Sequence, residues 1–304
     1  MNRFEYWKEN PGALVQSIMA RLCKNMGDEK YLKIAYRLSM GKKLDLENPT
    51  LLSEKLQWLK LYNRDPFYTK CVDKYEAKKV VAERLGTKEN IVPLLGVWDK
   101  FEDIKFEELP QQFVLKTTHD SGGIVVVKNK NDFDKVAAKA KLERSLNHDF
   151  YIGGREWPYK DVKRRIIAEE YIDTLGHEDS VEYKITCMNG KVKFVTFCKG
   201  PAHQDLSMRT NDHFDRDFNR LNFYAYYKNS NIPFEKPKTW DRMIEIAEKL
   251  GKDMPYVRVD VYDVNGHIYF GEMTFFTWAG FLKFNPKEWD EKLGSWLTLP
   301  EKKK

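Results

Sequence analysis

Cysteine is scarce in this 304-residue chain: Cys23, Cys71, Cys187 and Cys198 stand far apart, with no C-x-x-C pair among them. That spacing excludes a disulfide scaffold and a cysteine zinc site, and it suits a reducing compartment. Long apolar runs are also lacking; none approaches the roughly 18 residues that a membrane span requires. The first 24 residues are broken by charges where a signal peptide needs an apolar stretch. The expected location is therefore cytoplasmic. Nor is charge of one sign in excess, since 52 Lys+Arg stand against 46 Asp+Glu, a net of +6 interspersed along the chain. A nucleic-acid partner, which needs a lopsided basic surface, is not expected. The basic clusters at 42–43, 160–165 and 302–304 read as solvated surface, or as a patch for peripheral association with a membrane-linked glycan.

What is present is a hydrophobic content of 42%, enough for a core in one large domain or two packed subdomains. Helical spacing runs through residues 14–26 and again through Leu51, Leu52, Leu56, Leu59 and Tyr62, with Asn48-Pro49 as the expected cap and first turn of the second helix. A third helix is expected over 74–85, capped by Asp73 and stopped by Gly86. The texture then changes to short β-rich runs at 91–98, 113–116 and 124–128, followed by a charged helix over 132–147. A second β-rich block opens at Arg165, turns at Asn189-Gly190, and resumes over 256–276 after a helix near 240–250. The expected fold class is α+β, with a short, mostly helical region at 1–70 and two α+β parts at 71–164 and 165–304.

Three constellations carry the chemistry. In the hairpin over 257–274, Arg258, Asp260 and Glu272 stand among apolar residues. Half-buried carboxylates need a compensating cation, so the pair implies either Mg²⁺ between them or a salt bridge to Arg258. Register decides whether the acids meet. A two-residue Asn265-Gly266 turn sets Asp260 opposite Gly271 and sends Glu272 to the other face. A three-residue loop with Gly266 as a left-handed bulge pairs Arg258 with Glu272, and of the two only this one builds a metal site. The second constellation is a strand ending in Lys116, a loop of His119, Asp120, Ser121, Gly122 and Gly123, and another strand, a shape that lays backbone N–H groups over phosphates. The third is an apolar strand that turns polar at Glu169-Glu170-Tyr171-Ile172, with Glu182 ten residues on, where a strand end can hold a purine edge and an acid a ribose.

In this order, the pieces resemble the ATP-grasp superfamily and, within it, the TupA-like branch associated with teichuronopeptide and surface-polysaccharide biosynthesis. The phrases that carry the likeness are Asp73-Lys74-Tyr75, Ile91-Val92-Pro93-Leu94-Leu95-Gly96-Val97-Trp98, Ile167-Ala168-Glu169-Glu170-Tyr171, Tyr183-Lys184 with Asn189-Gly190-Lys191, Phe270-Gly271-Glu272-Met273-Thr274-Phe275-Phe276, and Phe284-Asn285-Pro286-Lys287-Glu288-Trp289-Asp290. The resemblance implies an ATP-grasp fold, two α+β subdomains clasping ATP. It implies that Lys74 and Lys116 contact the phosphates under the loop of His119, Ser121, Gly122 and Gly123, that Glu169, Glu170, Tyr171 and Ile172 receive adenine, and that Glu182, beside Lys184, binds ribose. Asp260 and Glu272 take the places of the family's magnesium ligands, and Arg258 that of the arginine facing the acyl group. Thr274 departs from the pattern, standing where many members have Asn as a third metal ligand.

The activity that this resemblance implies is an ATP- and Mg²⁺-dependent carboxylate–amine ligase working through an acyl phosphate. Its expected partners are a small-molecule amine, such as an amino acid, and a carboxylate-bearing saccharide or precursor. The aromatics Trp157, Tyr159, Phe214, Phe218, Phe223, Tyr224, Tyr226 and Tyr227 could stack on sugars, and His203, Arg209, Arg216 and Arg220 could hold acidic groups; core packing is the commoner use of such residues. The chief rival is a metal-dependent glycosyltransferase, for which Asp215-Arg216-Asp217 and Asp132-Phe133-Asp134 both offer D-x-D. A simple kinase and a noncatalytic carbohydrate- or membrane-surface-binding module are further rivals.

Overall fold

A computed structural model describes residues 11–173, 181–200, 209–230 and 232–302. The chain divides into two units: 1–65 with 152–156 and 174–304, and 66–151 with 157–173. The helical N-terminal segment thus belongs to the larger unit, and the smaller unit starts before Cys71 and runs past Arg164.

The smaller unit is built on strands β1 (Leu94–Trp98), β2 (Phe113–Thr117), β3 (Ile124–Val127) and β4 (Ile166–Glu170), in the order β1-β4-β2-β3 and antiparallel throughout. β4 follows Arg165, where the second β-rich block was expected to open; it pairs instead with β1 and β2 in the first sheet. Its run Ile166, Ile167 and Ala168 is fully buried, as a central strand requires. One face of the sheet holds a core of Phe101, Phe106, Phe113, Leu115, Leu142 and their neighbours. The charged helix spans Lys135–Leu146, its first turn capped by Asp134, whose carboxylate accepts from the Ala137 N–H at 2.9 Å. The helix expected from Lys74 begins at Glu76. Asp73 still caps it, accepting from the N–H groups of Tyr75 (2.8 Å) and Glu76 (3.3 Å), and Gly86 ends it in the left-handed region.

The larger unit carries six antiparallel strands: β5 (Val181–Met188), β6 (Lys191–Lys199), β7 (Thr210–Phe214), β8 (Arg220–Leu221), β10 (Tyr256–Val264) and β11 (His267–Thr274), ordered β11-β10-β5-β6-β7-β8. A small pair, β9 (Tyr224–Ala225) with β12 (Phe284–Asn285), stands apart. Alternation divides the six-stranded sheet cleanly. Val257, Val259, Val261, Ile185 and Cys187 are buried on one face, and the helix Trp240–Leu250 packs on these strands with an apolar side of Trp240, Met243, Ile244 and Ala247. The opposite face is polar.

The helices Pro11–Leu22, Asp28–Met40 and Leu52–Tyr62 complete the larger unit. Asn48-Pro49 is not the cap of the third: the helix starts at Leu52, because the Glu54 carboxylate reaches back to the N–H groups of Thr50 (3.2 Å) and Leu51 (3.3 Å). From this helix Ser53 donates to Asp290 (2.6 Å). Buried Lys60 donates to the carbonyls of Gly154 and Ala279, 2.6 Å each, and to Gln57 Oε1 at 3.0 Å. The segment it grips, Thr277–Gly280, has three successive left-handed residues, with φ of 51° at Trp278, 50° at Ala279 and 69° at Gly280. Such a backbone persists only when its surroundings over-determine it.

Candidate functional site

Hairpin β10–β11 settles the register in a way neither sequence alternative anticipated. Its turn has two residues, Asn265 and Gly266, with φ of 54° and 84°, the left-handed pair of a type I′ turn. The three-residue loop is absent, and Arg258 opposes Thr274 rather than Glu272. The register instead shifts between Asp260 and Val261, where Gly271 is the extra residue of a bulge, and Asp260 comes to lie opposite Glu272. A Cβ at Gly271 would lie 3.0 Å from the Tyr262 ring and 3.1 Å from the Asp260 carbonyl, which explains glycine there.

A single row of side chains then crosses the polar face: Glu272, Asp260, Lys184, Thr196, His213 and Leu221, each directly opposite the next on the neighbouring strand. Arg258 grips Asp260 in bidentate fashion, Nε to Oδ1 at 2.6 Å and Nη2 to Oδ2 at 2.7 Å, and also reaches Glu272 Oε1 at 3.1 Å. Lys184 donates to Asp260 Oδ2 (2.7 Å) and to Glu182 Oε1 (2.9 Å), while Arg209 takes Glu182 Oε2 at 2.7 Å. Burial alone would raise the Asp260 and Glu182 carboxyls; the adjoining cations outweigh it and hold both below the ordinary range. Burial likewise acts to lower Lys184, and Asp260 and Glu182 reverse it. Thr274 donates to Glu272 Oε1 at 3.2 Å. Asp260, Glu272 and Thr274 are hard oxygen donors gathered on one face, the donor chemistry that suits magnesium. The Glu272 side chain is 40% exposed against 1% for Asp260, so Glu272 is the more accessible of the two.

The smaller unit holds the other expected residues. Lys116 Nζ lies 2.5 Å from Glu169 Oε2, and Lys78, which the sequence reading missed, lies 2.6 Å from Oε1. Glu169 is buried, which would raise its carboxyl, but the two lysines hold it down. Its side chain is therefore committed to lysine. Glu169 and Glu170 sit in the β ladder, and the Glu170 N–H donates to the Pro93 carbonyl at 3.0 Å. Tyr171 and Ile172 lie beyond the strand, half-buried, and leave their backbone outside the ladder. Lys74 donates to the Asp120 carbonyl.

Within the loop, the Asp120 carboxylate accepts from Thr117 and Ser145, 2.6 Å each, and from the Gly123 N–H at 3.2 Å. Burial is opposed by these hydrogen bonds, and the group stays below the usual carboxylate range. Gly123 is forced by packing, since a Cβ there would meet Thr117 Oγ1 at 2.0 Å. His119 is buried with Nε2 at 3.1 Å from the His148 carbonyl, and burial lowers its pKa. Only Ser121 and Gly122 are exposed. The base of the loop is thus fixed, and of its five residues two are accessible.

Beside the ionic row, and wholly within the larger unit, lies a cavity of about 320 Å³. Arg258, Lys184 and Arg209 line it together with Asn211 and His213 of β7 and the rings of Tyr227 and Trp278. Of the aromatics expected to meet a sugar, most are packing: Trp157 stacks on Tyr68, Phe214 on Phe218 and Phe223 on His213. Tyr227 and Phe223 do line the cavity, and Tyr226 stacks on Trp278 at 4.1 Å. Arg216 and Arg220 are spent on Glu248 and Asp212. His203 lies outside the described residues. Both D-x-D patterns are structural: Asp215 caps its own turn, accepting from the N–H groups of Asp217 (3.0 Å) and Asn219 (2.8 Å), and Asp134 caps a helix while Asp132 holds Asn129.

The family model described as TupA-like ATPgrasp matches residues 54–298. A search of the curated proteins found no match. Among solved structures, the D-alanine–D-alanine ligase of Bacillus anthracis complexed with ATP is 18% identical, covering 67% of this chain and 53% of that one with a TM-score of 0.37. The D-cycloserine synthetase DcsG is 14% identical over 68% and 62%, TM-score 0.39. An ADP complex of N5-carboxyaminoimidazole ribonucleotide synthetase is 14% identical over 81% and 56%, TM-score 0.41. The chain spans little more than half the length of these proteins.

Proposed function

The chain belongs to the TupA-like ATP-grasp family, within a superfamily of ATP-dependent ligases, and on that premise we propose that it joins a carboxylic acid to an amine through an acyl phosphate. The observation that carries this reading is the Gly271 bulge, which sets Asp260 opposite Glu272 beside Arg258. A plain hairpin would part the two acids and leave no metal ligand pair.

Asp260, Glu272 and Thr274 are the residues that would hold magnesium, which when bound neutralises phosphate oxygens and aligns them for transfer. Lys116 and Lys74 supply mobile positive charge to the triphosphate, and the exposed Ser121-Gly122 backbone covers it. The backbone of Tyr171 and Ile172 receives adenine. Glu182, with Lys184 and Arg209 already on its carboxylate, meets ribose hydroxyls only by sharing those oxygens. The acid's carboxylate oxygen forms a bond to the γ-phosphorus as the bond to ADP breaks. The amine nitrogen then adds to the acyl carbon, loses its proton to solvent, and phosphate leaves. Arg258 stays charged throughout, its guanidinium raised by Asp260 and Glu272 against the effect of burial, and it stabilises the oxyanion at the acyl centre.

The acid we propose is a uronic acid or another acidic group of a surface polysaccharide or its precursor, and the amine an amino acid, as the TupA-like branch suggests. The test is thermal shift with Mg-ATP against Mg-UDP-sugars in the native protein, Lys116→Ala and Glu272→Gln. Stabilisation by Mg-ATP that both substitutions remove supports the reading. Stabilisation by a UDP-sugar alone would overturn it in favour of glycosyl transfer.

A further inference from the structure

We propose that Asn211 and His213 select the acid substrate by its hydroxyl groups, acting at the end of the cavity remote from the metal-binding pair. This rests on the ligase reading, which puts the substrate carboxylate at Arg258. At about 320 Å³ the cavity admits one compact molecule and lies at the small end of the roughly 300–1,000 Å³ typical of ligand sites. His213 stands in the same row as Lys184, two strands away across Thr196. Neighbouring strands are about 4.8 Å apart, so about 10 Å of backbone separates the two residues. A substrate held by its carboxylate near Lys184 and Arg258 therefore extends its other end toward β7.

Both β7 residues carry a buried polar atom that makes no hydrogen bond among the described residues, Asn211 Oδ1 and His213 Nε2, although the residues are only 9% and 5% exposed. Buried polar atoms are costly unless paired. The His213 ring is held in place, and the Asn211 main chain is anchored. His213 Nδ1 is engaged by Thr196 Oγ1 at 2.9 Å, and its ring lies flat on Phe223 with centroids 4.1 Å apart and planes at 4°. The Asn211 backbone carbonyl accepts from Asn229 Nδ2 at 2.8 Å, and its backbone N–H donates to the Lys228 carbonyl at 3.0 Å.

The chemistry of these atoms narrows the occupant. A second carboxylate or a phosphate only accepts hydrogen bonds and cannot satisfy Asn211 Oδ1. An ammonium group only donates, and it would meet the Arg209 guanidinium on the same wall. An apolar chain would leave both atoms unpaired. A hydroxyl donates and accepts, so it pairs with Asn211 Oδ1 and with His213 Nε2 in either tautomer. Trp278, 36% exposed beside Tyr227, adds a flat wall suited to the C–H face of a ring. The class is thus a hydroxylated carboxylic acid rather than an amino diacid.

The experiment is isothermal titration of the full chain, without nucleotide, using D-glucuronate, cyclohexanecarboxylate (the same ring size and carboxylate without hydroxyls) and L-glutamate. D-Glucuronate is expected to bind at least tenfold tighter than either of the others. In His213→Phe, whose ring keeps the stack on Phe223, D-glucuronate should weaken about tenfold while cyclohexanecarboxylate is unchanged. Equal affinities, tighter binding of L-glutamate, no binding of any probe, or an equal loss for both ring acids in the variant overturns the proposal. If the variant does not fold, the native comparison decides. Mg-ATP stabilisation measured on the same preparation separates the two failures: without it the ligase reading falls, and with it only the hydroxyl selection does.

Discussion

Each of the two sheets buries a carboxylate between two cations, and the surroundings of the two carboxylates differ. Glu169 on β4 meets Lys116 and Lys78, and among the described residues no second acid shares those lysines. Asp260 on β10 meets Arg258 and Lys184, but there Glu182 and Glu272 join in and Arg209 completes the group, so three acids face three bases. The first cluster carries surplus positive charge and suits a polyanion. The second is balanced, and Arg258 and Thr274 both engage Glu272 through Oε1. The difference is one of charge: the smaller unit's cluster has a net positive charge and the larger unit's is neutral.

The largest expected effect breaks the balance outright. Arg258→Met leaves buried Asp260 with Lys184 alone and Glu272 with no cation, and urea denaturation should register a loss of about 3–5 kcal/mol. Lys116→Met leaves Glu169 with Lys78 and should cost about 2 kcal/mol; equal losses would erase the contrast between the clusters. Nucleotide titration sharpens it further. Lys116→Met should weaken ATP binding roughly tenfold to a hundredfold with Mg²⁺ or with EDTA, whereas Glu272→Gln should weaken it only when Mg²⁺ is present. Identical behaviour of the two variants in EDTA would show that both clusters act through charge alone.

Acid should act on the six-stranded sheet through a buried base. Burial pushes His213 down to about 3 from its ordinary value of 6.5. The unfolded chain therefore binds the proton first, and this contribution to stability is complete above the unfolded pKa and lost as pH falls from about 6.5 toward 3. Between pH 7 and 4.5 the native protein should lose about 2 kcal/mol that His213→Phe does not lose, measured as the difference in their urea stabilities. The smallest effect is a control on the smaller unit: Asp134→Ala removes a helix cap worth about 1 kcal/mol and should leave Mg-ATP binding unchanged. A loss of nucleotide binding there would revive a metal role for Asp132-Phe133-Asp134.

Much of this architecture was legible because alternation and capping are local. Polar Arg258, Asp260 and Tyr262 alternate with Val257, Val259 and Val261, and Asp73 and Gly86 bracket a helix that begins two residues late. The bulge was legible too, and was missed. Buried Ile268 and Phe270 keep a spacing of two, and the next buried pair, Met273 and Phe275, is out of phase by one residue with Gly271 between them. That phase slip is the signature of an inserted residue. Lys78 could have been suspected from its place one helical turn after Lys74. The membership of β4 in the first sheet, the capture of Glu182 by Arg209 and the cavity could not be read, because each depends on which distant segments pair.

The row across the six-stranded sheet also joins segments far apart in the chain. β5 and β6 form a local hairpin, but β5 must then pair with β10, and Asp260 reaches Lys184 from 76 positions further along the chain. Closing so long a loop costs chain entropy before any contact repays it, which places this pairing late and makes it slow. A chain stopped before Tyr256 could build the β5–β6 hairpin and still own none of the Asp260–Glu272 pair. A newly made molecule should thus form the Asp260–Glu272 pair with Arg258 as the β10–β11 hairpin closes, and gain Lys184 and Glu182 as a separate step when β10 is seated on β5.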